Sequence, residues 1–144
     1  MKPEETVDFF LKIAWQSVAN KYNQLASKYA LTQALGYMLI NIQEDGTAVS
    51  QIATLLGVKS TSLSRTLNAM EQMKLIYRQV DHVDKRSVKI YLTDLGILKK
   101  QNAKDVVRKF NEYLNSNLEL SERLQFTSTL NKINKLAQKY EPDV

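Results

Sequence analysis

The first third of the chain carries apolar residues at helical spacing over an unusual length. Between residues 7 and 29 an apolar side chain recurs every three or four positions, which predicts one helix of about 26 residues that starts at Pro3. Phe10 and Trp15 lie off this stripe, so the helix is apolar on more than one face, which is more than one side of a small domain covers. The stripe consists of Val7, Leu11, Ala14, Val18, Tyr22, Leu25 and Tyr29.

Three shorter amphipathic segments follow. Thr32 is the predicted N-cap of a helix that ends near the turn Glu44-Asp45-Gly46. Ser50 is the predicted N-cap of a third helix, which Gly57 ends because glycine enters the left-handed conformation at low cost. A fourth helix is predicted over about residues 60–72. Its buried positions are Leu63, Leu67 and Met70.

The pattern then changes to strands and back to helices. Residues 75–80 and 87–92 read as two strands, the second with strict period-two alternation, and predict a two-stranded hairpin. Thr93-Asp94 is predicted to cap a long helix and Ser121 the last one. The long helix is predicted to bury Leu95, Leu98, Val106, Phe110, Tyr113 and Leu118, and the last carries the near-heptad row Phe126, Leu130, Ile133, Ala137 and Tyr140. The predicted fold is mainly α.

Composition narrows the class of protein. A chain of 144 residues with 44% apolar and 24% charged residues is typical of one globular domain. Its apolar runs are shorter than the roughly 18 residues that span a bilayer, and the early acids argue against a signal peptide, so we expect a cytoplasmic location and no membrane partner. With no cysteine and one histidine, His82, we expect no disulfide, no metal and no cofactor.

Catalysis is not predicted. General acid–base chemistry uses converging carboxylates or a histidine in a pocket, whereas His82 lies on the predicted hairpin tip. The sequence also lacks a glycine-rich phosphate loop and a nucleophile elbow. The distribution of charge favours a polyanionic binding partner instead. Residues 48–92 hold seven Lys and Arg against three acids and so carry most of the net charge of +5.

The third and fourth helices, joined through Leu56-Gly57-Val58, form a candidate helix-turn-helix. Outside its buried stripe the fourth helix carries small hydroxyls, one cation and one amide, where surface helices normally carry Glu, Lys and Gln. Small polar side chains let a helix enter the major groove, where arginine can read guanine and asparagine can read adenine. The candidate DNA-binding residues are Ser60, Thr61, Ser62, Ser64, Arg65 and Asn68.

The hairpin directly after this helix has the layout of a wing. We predict that Arg86 enters the minor groove, that Asp84 orients it through a salt bridge, and that Lys85 faces a phosphate. A charged hairpin tip taken by itself is more often only solvated. The position after a candidate recognition helix favours the DNA-binding interpretation.

At Ser50–Gly96 the sequence resembles the multiple-antibiotic-resistance regulators, the MarR family. The matching features are Leu-Gly-Val at 56–58, Leu-Ser-Arg-Thr-Leu at 63–67, Asp84-x-Arg86 in the wing, and Leu-Thr-Asp-Leu-Gly at 92–96. Two positions depart from the family pattern: Lys74 replaces the usual glycine before the first wing strand, and Val83 replaces the usual proline before the wing aspartate.

The resemblance implies a winged helix-turn-helix with a two-stranded β wing and long N- and C-terminal dimerisation helices. It also implies a homodimer that binds a pseudo-palindromic operator on double-stranded DNA and regulates transcription, as a repressor and often in response to a small-molecule effector. The absence of cysteine excludes control through a thiol. The implied single domain, 1–144, comprises dimerisation helices at 1–30 and 121–144, a winged helix-turn-helix core at about 31–96 and a connecting helix at 94–118.

Two questions stay open at the level of sequence. The alternative function is a winged-helix module that contacts other proteins and does not bind specific DNA. The aromatic residues near the predicted junction of the dimerisation helices and the winged domain could form an effector site, but aromatics at helical spacing are more often core, so no site is assigned. These residues are Trp15, Tyr22, Tyr37, Phe110 and Tyr113.

Overall fold

The computed structural model describes residues 1–143 in two compact units, Met1–Val107 and a second that begins at Arg108. The helices are α1 (Val7–Ala26), α2 (Gln33–Ile40), α3 (Val49–Leu56), α4 (Ser60–Gln72), α5 (Asp94–Ser116) and α6 (Leu120–Lys139). The strands are β1 (Thr47–Ala48), β2 (Ile76–Val80) and β3 (Val88–Leu92). None of the helices in the described part of the chain is long and apolar enough to cross a membrane.

The first helix is shorter at both ends than its apolar pattern predicts. Thr6 is extended and its side-chain oxygen accepts a hydrogen bond from the Phe9 amide at 3.3 Å, so α1 begins after it and Pro3–Glu5 forms a separate 3-10 turn. At the other end, α1 gives way to a second 3-10 turn, Ser27–Tyr29, which closes at Ala30 in the left-handed region with φ 57°. Hydrophobic spacing does not register such changes, because a 3-10 turn continues the same face.

The sheet has three antiparallel strands in the order β1-β3-β2, where the sequence predicted two. The additional strand β1 pairs Thr47 with Ile90 and Ala48 with Lys89. It immediately precedes α3, so Ala48 is the N-cap residue and the prediction that Ser50 caps this helix is wrong. A strand of two residues is too short to show the alternation from which strands are predicted.

The core of the first unit lies between the helices and one face of the sheet. All three predicted core residues of α4 are buried, and Ile90 of β3 is fully enclosed. Thr32 caps α2 as predicted, accepting the Leu35 amide at 3.1 Å. The largest enclosed side chains are Leu39, Ile42, Ile52, Leu67, Met70, Leu75 and Ile90.

A cluster of backbone contacts joins the base of the wing to α5. Thr93 caps α5 as predicted: its Oγ1 accepts from the Gly96 amide at 3.0 Å and donates to the Lys74 carbonyl at 2.6 Å. Its own amide donates to the Leu75 carbonyl at 3.0 Å. Gly96 is pressed against that carbonyl so closely that a Cβ there would overlap it. Lys74 has a φ of 60°, which confirms that a residue other than glycine makes this turn.

Two neighbouring lysines of α5 bind carbonyl groups at the ends of earlier elements. Lys99 Nζ donates to the Tyr29 carbonyl at 2.6 Å, and Lys100 Nζ donates to the Ile42 carbonyl at 2.5 Å. Burial, with a smaller contribution from the nearby Lys104, lowers the pKa of Lys100. These bonds satisfy acceptors that a helix end would otherwise leave free.

The second unit contains the end of α5 and all of α6. Glu119 precedes α6 as its N-cap residue, and its amide donates to Glu122 Oε1 at 3.0 Å, so the prediction that Ser121 is the cap is wrong. Within the single chain Phe126 and Tyr140 of the heptad row are exposed.

Along α5 the predicted burial is only partly correct, because four of the six residues are exposed and Leu118 lies beyond the end of the helix. The exposed residues are Leu95, Leu98, Tyr113 and Leu118. The buried positions of α5 are instead the small residues Gly96 and Ala103.

Candidate nucleic-acid interface

The turn between α3 and α4 has the geometry of a helix-turn-helix. Gly57 ends α3 in the left-handed region at φ 66°, and the Val58 amide donates back to the Ala53 carbonyl at 3.0 Å. Lys59 is extended and stands at the N-cap of α4 without a side-chain bond. Ser60 is therefore already helical, and a capping role does not account for its hydroxyl.

The outer face of α4 is polar and accessible. Leu63, Leu67 and Met70 anchor the opposite face in the core with at most 3% of their surface exposed. Arg65 forms no hydrogen bond or ion pair with the rest of residues 1–143, so its guanidinium is free to bind a partner. All six predicted DNA-binding positions are exposed: Ser60, Thr61, Ser62, Ser64, Arg65 and Asn68.

Asn68 differs from its neighbours because it already has a partner. Arg78 of β2 donates from Nη2 to Asn68 Oδ1 at 2.6 Å, and its Nε lies 2.6 Å from Glu71 Oε1. The Nε–Glu71 contact lacks hydrogen-bond geometry and is best described as an ion pair. Sequence reasoning missed this contact, because Arg78 is ten residues from Asn68 and the strand pattern gives no side-chain pairing.

The wing tip presents its three predicted residues to solvent. The side chain of Arg86 is 96% exposed and that of Asp84 is 56% exposed, with 3.7 Å between Arg86 Nε and Asp84 Oδ1. The same Oδ1 accepts the backbone amide of Arg86 at 3.0 Å, and the Ser87 amide donates to the Asp84 carbonyl at 2.9 Å. Asp84 therefore shapes the backbone of the tip more directly than it holds the arginine side chain. Lys85 is exposed between them.

Away from this surface, the first unit contains an apolar cavity of about 240 Å³. Of the five aromatic residues considered from the sequence, Trp15, Tyr22 and Tyr37 line it. A second, more open groove of about 570 Å³ shares Trp15 and Tyr37 and reaches Ser62 and Thr66 of α4. The cavity and the groove thus share aromatic lining residues, and the groove touches the candidate recognition helix.

A helix-turn-helix that is anchored in the core by one face, followed by a sheet with a charged, exposed tip, defines a winged helix-turn-helix protein. Comparison with known proteins identifies the family within this class. The MarR family model matches residues 38–88. The organic hydroperoxide resistance transcriptional regulator of Bacillus subtilis (strain 168) is 33% identical over 107 residues, which cover 74% of this chain and 73% of the relative. The chain belongs to the MarR family of transcription regulators.

Solved structures agree with this assignment over nearly the whole chain. The Staphylococcus aureus MepR–DNA complex superimposes with a TM-score of 0.82 at 27% identity, covering 90% of this chain and 96% of MepR. The transcriptional repressor CouR bound to a 23-mer DNA duplex gives a TM-score of 0.79 at 27% identity, covering 91% of this chain and 94% of CouR. The predicted winged-helix fold is confirmed, with one strand more than expected.

Proposed function

We propose that this protein binds a specific site on double-stranded DNA and regulates transcription, with α4 in the major groove and the wing tip in the adjacent minor groove. The observation that carries the proposal is the outer face of α4, where short hydroxyl side chains and an unpaired Arg65 stand exposed on a helix anchored in the core. Arginine binds the guanine edge with two hydrogen bonds, and hydroxyls bind phosphates or bases. The DNA-bound states of MepR and CouR support this role.

The proposed active species is a homodimer. On α1, Val7 and Leu11 are 52% and 43% exposed in the single chain, and Phe126 of α6 and Tyr140, directly after α6, are more exposed still. Exposed apolar residues at helical spacing are typical of contacts with another protein. Two-fold symmetry would place two α4 helices about one turn of DNA apart, roughly 34 Å, on a pseudo-palindromic operator. Light scattering at micromolar concentration should give the mass of a dimer, and a monomer would contradict the proposal.

Selection from a duplex pool with a random core tests DNA recognition directly. We expect the full chain to enrich a two-fold symmetric sequence that it binds about 10³-fold or more tightly than random duplex at the same salt concentration. Equal affinity for all duplexes, or no binding at low salt, would contradict the proposal. The second of these results would favour the alternative, a winged helix that contacts only proteins.

Control by a small molecule is a second proposed property. The apolar cavity lined by Trp15, Tyr22 and Tyr37 has the aromatic lining expected of a site for a small apolar compound, although at about 240 Å³ it is small for a drug-sized one. A bound compound that lowers operator affinity would make the protein a ligand-relieved repressor. Thermal-shift screening of small aromatic compounds, followed by operator binding with each hit, tests this; hits that leave operator affinity unchanged would contradict it.

The Bacillus subtilis relative is named for resistance to organic hydroperoxides. Any response of this chain to such compounds would not involve a thiol. The sequence contains no cysteine, so no residue can form a sulfenic acid or a disulfide. Operator binding should therefore be unaffected by pretreatment with a thiol-alkylating reagent.

A further inference from the structure

Arg78 changes the chemistry that Asn68 can offer to a partner. An asparagine reads adenine with both ends of its amide, accepting from N6 through Oδ1 and donating to N7 through Nδ2. Here Oδ1 faces β2 and accepts from the Arg78 guanidinium at 2.6 Å. Because arginine is only a donor, this orientation of the amide is fixed by chemistry: its nitrogen cannot take the place of its oxygen.

Glu71 keeps Arg78 in this position. Its Oε1 lies 2.6 Å from Arg78 Nε, so one guanidinium spans two residues of α4 that are three positions apart and on the same face. The Arg78 side chain is 30% exposed, and that partial burial limits the exchange of its bonds for water. Turning Asn68 to read a base would break a charge-assisted hydrogen bond, which is stronger than a neutral one.

The position of Asn68 along the helix agrees with this restriction. Asn68 is eight residues after Ser60, or about 12 Å further along α4. In helix-turn-helix proteins the first residues of the recognition helix contact base edges. A side chain further along that turns its oxygen toward β2 and presents its N–H donors matches the phosphate backbone, which offers only acceptors.

We propose that Arg78 is a positioning residue that keeps Asn68 Oδ1 turned toward β2, so that Asn68 offers its N–H donors to a DNA phosphate and does not read adenine. The inference rests on the proposed DNA binding and gives Asn68 a different role from the base reading predicted from sequence. It also assigns a function to the first strand of the wing, which would set the hydrogen-bonding character of the helix beside it.

Selection from a random-core duplex pool with matched variants of the full chain tests the inference. With wild type and Asn68→Ala we expect the same consensus sequence, and affinity lower by roughly three- to tenfold per half-site in Asn68→Ala on every base variant. With Arg78→Met we expect a new preference for adenine at one position in each half-site. That preference should disappear in the double variant Arg78→Met/Asn68→Ala.

Two further variants keep the test decisive. Lys89→Met removes one cation from the neighbouring strand β3 and should lower affinity without changing the consensus. If Arg78→Met unfolds, Arg78→Lys takes its place, because a single ammonium beside Glu71 retains the charge but cannot span both partners. Thermal unfolding of each variant separates loss of fold from loss of recognition.

Two results would overturn the inference. One is a wild-type consensus that contains an adenine whose preference is lost in Asn68→Ala. The other is an unchanged consensus in the folded Arg78 variant. In both cases the wild-type protein still binds specific DNA, so the proposed function would stand, whereas failure of wild type to enrich any sequence would remove the function itself.

Discussion

The fourth helix and the wing tip both expose polar side chains, but the helix is packed into the core and the tip is not. Leu67 and Met70 hold α4 in the core with at most 1% of their surface exposed, whereas the Arg86 side chain is 96% exposed on a tip closed by its own backbone. The helix therefore presents its side chains from a fixed backbone. The tip fixes only its turn and leaves its side chains exposed to solvent.

This difference separates two kinds of contribution to binding. Short hydroxyl side chains on a packed helix lose little entropy when they dock, whereas the long side chain of Arg86 loses rotamer freedom that partly offsets its attraction to DNA. We therefore expect the helix to carry most of the discrimination between sequences. The wing tip should add affinity and a preference for narrow grooves.

The largest expected effect comes from breaking the base of the wing, on which both regions depend. Gly96→Ala forces a Cβ into the Leu75 carbonyl, and we expect a loss of about 3 kcal/mol in the free energy of unfolding, measured by chemical denaturation. Gly57→Ala is the matched control: it has open space but φ 66°, so it should cost only about 1 kcal/mol. Equal losses would show that the contact with Leu75 relaxes freely.

On the helix, Arg65→Ala should weaken operator binding by about 1–3 kcal/mol and relax base preference at one position of each half-site. Because Arg65 has no bonding partner within residues 1–143, the thermal stability of the Arg65→Ala variant should stay close to that of wild type. Ser62→Ala should cost less, through a phosphate or water-mediated contact. Wild-type affinity in Arg65→Ala would show that α4 does not read DNA as proposed.

At the wing tip, Arg86→Ala should weaken binding by about 1 kcal/mol and flatten any preference for A/T pairs at the operator flanks. Titration of operators that differ only in their flanks measures both effects. An undiminished A/T preference in Arg86→Ala would place the source of that preference elsewhere.

Asp84 variants separate the two roles of this aspartate. Asp84→Asn keeps an oxygen for the Arg86 amide and loses only an exposed 3.7 Å ion pair, so it should bind as well as wild type or better after removal of a negative charge near DNA. Asp84→Ala also removes the turn bond and should bind more weakly than Asp84→Asn. Weaker binding by both variants would support the prediction from sequence that Asp84 orients the Arg86 side chain. Tighter binding by both variants would show that Asp84 is only a solvated residue.

The smallest expected effect concerns the turn between the two regions. Lys74 is held at φ 60°, so Lys74→Gly should stabilise the protein by up to about 1 kcal/mol. Lys74→Ala removes the same charge and keeps the strained conformation, so it should show no such gain in thermal unfolding. A gain in both variants would attribute the effect to charge.

The sequence predicted α4 to its exact bounds because three independent signals agree there. Leu63, Leu67 and Met70 give the helical period, Gly57 supplies the preceding turn, and the polar positions between them are consistent with one exposed face. Local signals of this kind depend on neighbouring residues alone, so they can be read without knowledge of the fold.

The features that sequence missed depend on distant residues or on alternative local solutions. Strand β1 exists because Thr47 meets Ile90, and the Asn68–Arg78 bond exists because β2 packs beside α4. Ser50 and Ser121 are good capping residues, but the helices begin earlier, after Ala48 and Glu119. A preferred residue at the N-cap stabilises a helix by about 1 kcal/mol. Strand pairing, or the contact of a Glu side chain with the N-cap amide, can outweigh that amount.

Trp15 gives the molecule an optical reporter of its own. It is the only tryptophan in the sequence, it is 54% exposed in the single chain, and it lines both the apolar cavity and the groove that reaches α4. The wavelength of indole fluorescence emission depends on the polarity around the ring, so a compound bound in the cavity or the groove would change the emission of one identifiable side chain. Ligand occupancy next to α4 could thus be followed in real time, without a dye or a label.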